Sequence, residues 1–426
     1  MFLHSLYFYI YFLRLWKITA IVSVFLKGTF FMHEYKWKNY IARFLSAQTI
    51  SLLGSSIVQY AIIWYITLTT SSGKMITLST LCGFLPQILI SFFAGVWIDR
   101  YSRKRIVMIT DCLIASATLI LALFFLTGHK NIKLLLAVLA IRSAGTGVQT
   151  PAVNAIIPQI VPQKYLMKVN GINSTISSII VFVSPAISGA VLSIATLEAT
   201  LFIDILTALV GITITATVPI QSLNKEFKIA ESQFAEMKEG IVYLKNHPFV
   251  RKMLVFQLLI LFLISPSAFL TPLMVSRTFG TEVWRLTMSE MTYSFGMIIG
   301  GAIITSWGGF KKKLNTTLVA GGFYGMLMIG LGIAPAFIFY LICNMLIGIT
   351  SPCYNSPITV SIQENVEPKM QGRIFSFMQI TNSCALPLGM IFFGPLADIT
   401  NIQFLLVVSG IIVFIICTFA YLRKLL

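Results

Sequence analysis

Apolar runs long enough to cross a bilayer recur along this chain. They lie near 41–69, 75–98, 106–128, 134–157, 169–195 and 199–219, and again near 253–276, 284–308, 314–334, 336–362, 374–398 and 402–422. A helix needs about 20 apolar residues to span the hydrocarbon core. Barrel strands would be shorter and would alternate, whereas a stretch such as LIASATLILALFFL (113–126) is apolar on every face. With 57% hydrophobic and only 11% charged residues, the chain has too little polar surface for a water-soluble domain of this size. The expected fold class is an all-α membrane protein with twelve transmembrane helices.

The net charge of +17 points to topology once the 31 Lys and Arg are sorted by loop. The amino flank, the loops after spans two, four, eight and ten, the 221–252 segment and the carboxy end together carry 22 of them. The loops on the other side carry five, namely Lys74, Lys130, Lys133, Arg277 and Arg285. Arg142 lies inside a span, and Arg14, Lys17 and Lys27 precede the first one. The positive-inside rule then puts the richer side, with both termini, in the cytoplasm. Cations spread over many loops do not make the clustered basic face that nucleic acid requires, so no nucleic-acid partner is expected.

The segment QSLNKEFKIAESQFAEMKEGIVYLKNHPFVRK (221–252) is too densely charged to lie in a membrane. It separates a first six-helix half (32–220) from a second (253–426). Within it Phe234, Met237, Ile241, Tyr243 and Leu244 recur at near-helical spacing, which predicts an amphipathic cytoplasmic helix. The halves echo each other: Gly147 and Pro151 reappear 201 residues on as Gly348 and Pro352, and Gly171 as Gly372. Arg103–Lys104–Arg105 is matched by Lys311–Lys312–Lys313. Such echoes are the mark of a duplicated transporter repeat. Residues 1–31 are apolar but broken by Arg14 and Lys17, and they lack a signal-peptidase pattern. The expectation is an over-called start ahead of Met32, the alternative being a segment lying on the membrane surface. The six cysteines show no metal-ligand spacing and read as packing residues.

The stretch GVWIDRYSRKR (95–105) ends span two with an acid followed by four cations. Read plainly, Gly95 allows close helix approach, Asp99 closes the span, and the cations hold the loop inside; a stop-transfer flank is the alternative. The stretch also resembles the loop between helices two and three of the major facilitator superfamily, through Gly95, Asp99, Arg100, Arg103, Lys104 and Arg105. Trp97, Ile98 and Ser102 depart from the commonest Leu, Ala and Gly. The resemblance implies a charge relay that latches the outward-open state, and Asp111 on span three is assigned to the same latch. AIRSAGTGVQTPA (140–152) matches R-x-x-x-G-x-G of helix four, which implies that Arg142 couples protonation to substrate movement. A cation at that depth must face protein or water, unless it snorkels to the outer surface. SPAISGAVL (184–192) partly matches the kink of antiporter helix five through Pro185 and Gly189.

Desolvation penalises the charged form of a carboxylate, which suits a buried acid to carrying a proton. Asp204 and Glu290, inside spans six and eight, are the coupling candidates, with a structural pairing to Arg142 as the alternative. Helix one, IRSAGTGVQTPAVNAIIPQIVP (141–162) and QENVEPKMQGRIFS (363–376) resemble bacterial macrolide-efflux transporters over 32–426. That resemblance implies a multi-pass exporter of small lipophilic drugs in the bacterial cytoplasmic membrane, in contact with lipid, with the proton as coupling ion and no bound cofactor or metal. Export of siderophores or other metabolites, facilitated import and a non-transporting receptor remain alternatives. Gln48, Gln59, Tyr60, Trp64, Gln149, Asn154, Gln257, Asn344, Tyr354 and Asn355 are the expected cavity residues, each with a helix–helix contact as its alternative. All four histidines lie outside the spans, and neither a nucleophile elbow nor a phosphate-cradling loop occurs, so no enzyme is expected. Nucleotide chemistry would have to enter through a separate nucleotide-binding resistance partner.

Overall fold

The computed structural model of the chain describes residues 37–220, 239 and 242–423. Within these ranges it leaves out the side chains of Phe92, Val96, Asp99, Pro368 and Lys369. The 1–31 extension and most of the proposed linker helix therefore lie outside the described residues, although 242–246 are helical. The described chain is helical, in the order α1 (Trp37–Thr70), α2 (Gly73–Arg100), α3 (Arg103–Leu126), α4 (Ile132–Ile160), α5 (Leu166–Ile194) and α6 (Leu197–Thr217). Then follow α7 (Pro248–Phe269), α8 (Thr271–Thr278), α9 (Val283–Trp307), α10 (Lys313–Gly332), α11 (Phe337–Asn365), α12 (Pro368–Ile399) and α13 (Ile402–Arg423).

Eleven of the described spans are long and apolar enough to cross a membrane, α7 and α8 counting together. The remaining long helix, α9, has 25 residues, enough for about 37 Å of rise. Its apolarity is diluted by Arg285, Glu290 and a run of Ser and Thr. The seventh span was expected as one helix. It breaks instead at Leu270, where Pro272 sits at the start of α8 and has no N–H to continue the ladder.

Packing is inverted relative to a soluble protein. Leu119, Leu123, Phe124, Leu209, Ile338, Phe404 and Ile415 are exposed on the outer faces, while Ser51, Thr118, Arg142, Asp204 and Ser289 are buried between helices. Outward apolar faces meet lipid, and backbone polar groups are satisfied within each helix. The repeat seen in the sequence is physical. In the first half α4 lies against α2 and α3, and in the second half α11 lies against α9 and α10. The duplicated glycines are what permit this. A Cβ at Gly147 would sit 2.6 Å from the Gln87 carbonyl oxygen of α2, and one at Gly348 would run into the Tyr293 carbonyl of α9. The halves meet through α2 against α12 and α5 against α9.

Candidate functional site

The first half encloses a buried polar file. Arg142, on α4, is only 4% exposed and points inward, so the snorkelling alternative fails. Its guanidinium pairs with the Asp204 carboxylate of α6 and donates to Thr118 Oγ1 of α3. It also donates to the Ser55 carbonyl and Oγ of α1, both at 3.2 Å. Ser55 and Thr118 in turn donate to Asp204, at 3.2 and 3.1 Å. Four helices thus converge on one charge-assisted network, which is what allows two opposite charges to survive burial.

Asp111 belongs to the same file. It is 3% exposed and accepts from Ser51 Oγ at 2.8 Å and Gln149 Nε2 at 2.7 Å. Its Oδ2 is buried without a partner. The spacings explain the stacking: Ser51 and Ser55 are one turn apart on α1, Asp111 and Thr118 two turns on α3, Arg142 and Gln149 two turns on α4. The two acids therefore lie about 10 Å apart along the same three helix faces. The expectation that Asp111 joins the 95–105 latch turns on Asp99, whose side chain lies outside the described atoms; the described bonds to Asp111 come from Ser51 and Gln149.

The loop itself is held within the first half. Arg103 donates to the Ala155 carbonyl of α4 at 2.7 Å. Lys104 Nζ donates to the carbonyls of Ala216 and Val218 at 2.6 and 2.8 Å, placing a cation on the C-terminal end of α6, where the helix dipole favours one. Arg100 and Arg105 are exposed, Gly95 is half-buried in the last turns of α2, and the Asp99 side chain lies outside the described atoms.

The expected cavity residues divide. Tyr60 and Trp64 of α1 pack into the cluster that joins the halves, with their rings 5.8 Å apart, and Gln59 approaches Gly83 of α2. Others are used up by contacts within one half. Gln149 binds Asp111, Gln257 donates to Asn382 at 2.8 Å, and Asn344 donates to the Ser289 carbonyl at 2.7 Å. Tyr354 is buried in the second-half core. Asn355 and Asn154 are exposed, Asn355 bonding back to Ser351, and Gln48 is buried with an unpartnered Nε2. Glu290 stands apart from Arg142, on α9 in the other half.

One end of the molecule carries ties between the halves that the sequence reading missed. Asp398, at the last turn of α12, caps α2: it accepts from the backbone N–H of Gly73 at 2.6 Å and of Lys74 at 3.0 Å, and from Ser72 Oγ at 2.9 Å. Arg277, closing α8, pairs with Asp398 at 3.1 Å, donates to the Ala397 carbonyl at 2.7 Å, and reaches the Ser71 carbonyl across the interface. Thr77 donates to the Met390 carbonyl at 3.0 Å. Gly394 lies against Thr77, and Gly189 against Thr287, with no room for a side chain at either glycine. α5 runs unbroken through Pro185 to reach that contact. All of these groups lie at the end opposite the 101–102 turn. The available signal was an acid in the final turn of a span, facing the orphan N–H groups of another helix start.

Comparison with known proteins agrees with this architecture. A family model described as Major Facilitator Superfamily matches residues 44–385. The chain is 30% identical over 386 residues to macrolide efflux protein A of Streptococcus pyogenes, covering 90% of this chain and 95% of that one. It is 24% identical to a staphyloferrin A transporter of Staphylococcus aureus, over 86% of this chain and 92% of that one. Among solved structures, a bacterial homologue of the human lysosomal transporter Spinster, inward-facing and occupied, matches with a TM-score of 0.68 at 13% identity, over 91% and 96% of the two chains. With twelve long helices among the described residues in a duplicated arrangement, meeting through α2–α12 and α5–α9, and with the family model matching residues 44–385, the chain belongs to the Major Facilitator Superfamily.

Proposed function

We propose that the protein is a proton-coupled exporter of lipophilic drugs, macrolides first among them, working by alternating access in the bacterial cytoplasmic membrane with its basic loops in the cytoplasm. The observation that carries this reading is the buried file of Asp204, Arg142 and Asp111. Protonating Asp204 cancels its charge and leaves Arg142 without a counter-charge in a dry interior, a state that costs several kcal/mol. An arrangement that lets water or another acid reach Arg142 becomes favoured. Deprotonation restores the pair and the original arrangement. Coupling needs different proton affinities in the two arrangements, since a ligand bound equally by both shifts nothing. The likeness to macrolide efflux protein A supports the choice of substrate.

With the basic loops inside, as the positive-inside rule favours, the tied end around Asp398 would face the outside, and alternating access would have to break those ties to open that end. The test is accumulation of a labelled macrolide in energised cells with and without expression. Expression lowers accumulation and an uncoupler restores it; unchanged accumulation overturns the macrolide assignment. The staphyloferrin transporter relative makes siderophore export the second reading, so a labelled siderophore belongs in the same panel.

A further inference from the structure

The turn between α9 and α10 carries Lys311–Lys312–Lys313, the second-half counterpart of Arg103–Lys104–Arg105, but its charges are used differently. Arg103 and Lys104 donate to helix carbonyls, whereas the side chains of Lys311 and Lys312 make no hydrogen bond or ion pair among the described residues. The turn itself is well braced. Gly308 and Gly309 both take a positive φ, the Phe310 N–H donates to Thr316 Oγ1 at 2.8 Å, and Lys313 Nζ donates to the Gly308 carbonyl at 3.0 Å. Lys312 gives α10 no side-chain cap, so the N–H groups at that helix start remain available to an anion.

These groups edge a cavity of about 340 Å³ among the ends of α7, α10, α11 and α13. Leu318 and Ala420, both buried, give it an apolar wall. Ser361 of α11, only 3% exposed, also lines it, and its hydroxyl bonds to no described residue. Glu364 lines it as well and pairs with none of the three lysines, so the cavity holds an excess of cations beside an unpaired acid. α13 leaves the tied end at Ile402 and finishes here, which puts the cavity at the end of the 101–102 turn. Trp307 and Phe310, with rings 4.8 Å apart, and Tyr421 are exposed beside it, and aromatics in such places sit at the level of lipid headgroups.

We propose that this cavity holds the headgroup of an anionic phospholipid. A phosphoglycerol head meets every open group: its phosphate lies against Lys311, Lys312 and the start of α10, and its hydroxyls donate to Glu364 and bond Ser361. The acyl chains leave past Tyr421 and Leu422, which are exposed. An ammonium head would carry its own cation in among the lysines, so zwitterionic lipids fit less well. The site joins α10, α11 and α13, all of the second half, and its occupation therefore stabilises that half. It goes beyond the transport reading and does not depend on it.

The test uses the full-length protein purified in detergent and two probes with identical acyl chains, phosphatidylglycerol and phosphatidylethanolamine. Lipid retention is read by native mass spectrometry, and stability by the thermal unfolding midpoint. Wild type holds phosphatidylglycerol about tenfold more tightly than phosphatidylethanolamine and unfolds at a higher temperature with it. Lys311→Gln with Lys312→Gln, at two exposed positions, lowers the phosphatidylglycerol affinity about tenfold or more. Arg43→Gln with Lys168→Gln removes the same charge from exposed positions of the first half at the same end, and leaves binding as in wild type. Ser361→Met fills the cavity with every charge kept and also weakens binding. Equal weakening by the two charge pairs would assign the attraction to the basic face as a whole, and equal retention of the two lipids would remove the anionic preference; either overturns the site. Wild-type affinity in Ser361→Met places the head outside the cavity and overturns it too. Glycerol 3-phosphate, added without lipid, is the last arm: a rise in the midpoint that needs Lys311 and Lys312 and equals that given by lipid makes the cavity a soluble phosphate-ester site and overturns the lipid assignment, and no such rise upholds it.

Discussion

At the scale of single residues, Arg142 and Asp204 show how two charges, each unfavourable in an apolar helix, are accommodated as a buried pair. Each is under 5% exposed, and each would destabilise the helix packing if left alone. Asp204→Asn keeps the shape and removes the counter-charge. The expected result is a protein that still inserts but unfolds at lower temperature in detergent, by about 3 kcal/mol of lost stability, with uncoupler-sensitive export abolished. Adding Arg142→Gln removes the orphaned cation, so the double variant recovers most of the stability and none of the transport. A melting series with export assays on the four proteins checks both halves of that statement. Stability that fails to recover would mean that Arg142 holds the fold chiefly through Ser55 and Thr118. The pairing of Asp204 with Arg142 stood in the sequence as an alternative, but which inward group each uncharged polar residue meets was not legible there. A Gln or Asn in an apolar helix announces only that it faces inward. Gln149 meeting Asp111 and Gln257 meeting Asn382 look the same on paper as residues lining a cavity.

At the scale of elements, the spans were legible because desolvating a helix of about 20 residues leaves little choice of composition. The break at Leu270 was foreshadowed by Pro266 and Pro272, yet prolines also occur within the continuous helices α4, α11 and α12. Only the neighbouring helices decide whether a freed carbonyl is tolerated. The duplicated glycines were legible as a repeat and not as contacts. Gly394 was not singled out at all, although a Cβ there collides with Thr77 of α2. Gly394→Val should hold α12 away from α2. Spin labels at Lys74 and Thr400 then report a longer distance and a broader distribution, and export falls by about tenfold or more, because the closed arrangement at that end is disfavoured. The equivalent change at Gly128, which has open space around its Cα, tests only backbone strain at its positive φ and leaves the distance between the two labels unchanged.

At the scale of the whole molecule, the two ends are built differently, and the difference is electrostatic. At one end, Lys104 and Arg103 donate to helix carbonyls of their own half. At the other end, a carboxylate from α12 serves as the missing cap of α2, whose own Ser72 makes no cap, and Arg277 closes the circuit between Asp398 and the Ala397 carbonyl. The positive start of α2 and the negative end of α12 thus face each other through one acid and one base. Both groups are partly exposed, so the tie is worth modest energy, about 1 to 2 kcal/mol. Under the proposed alternating access, that is the right size for a contact that breaks once per cycle, since about 1.4 kcal/mol changes a two-state ratio tenfold. Asp398→Asn should therefore leave stability nearly unchanged while shifting the population toward separation at this end. Distances between labels at Lys74 and Thr400 should become bimodal, with the longer component growing as ionic strength rises in wild type and barely responding in the variant. A wild-type distribution in Asp398→Asn at all salt concentrations would assign the closure to the Gly394 and Gly189 contacts alone, with the charges serving only as helix caps.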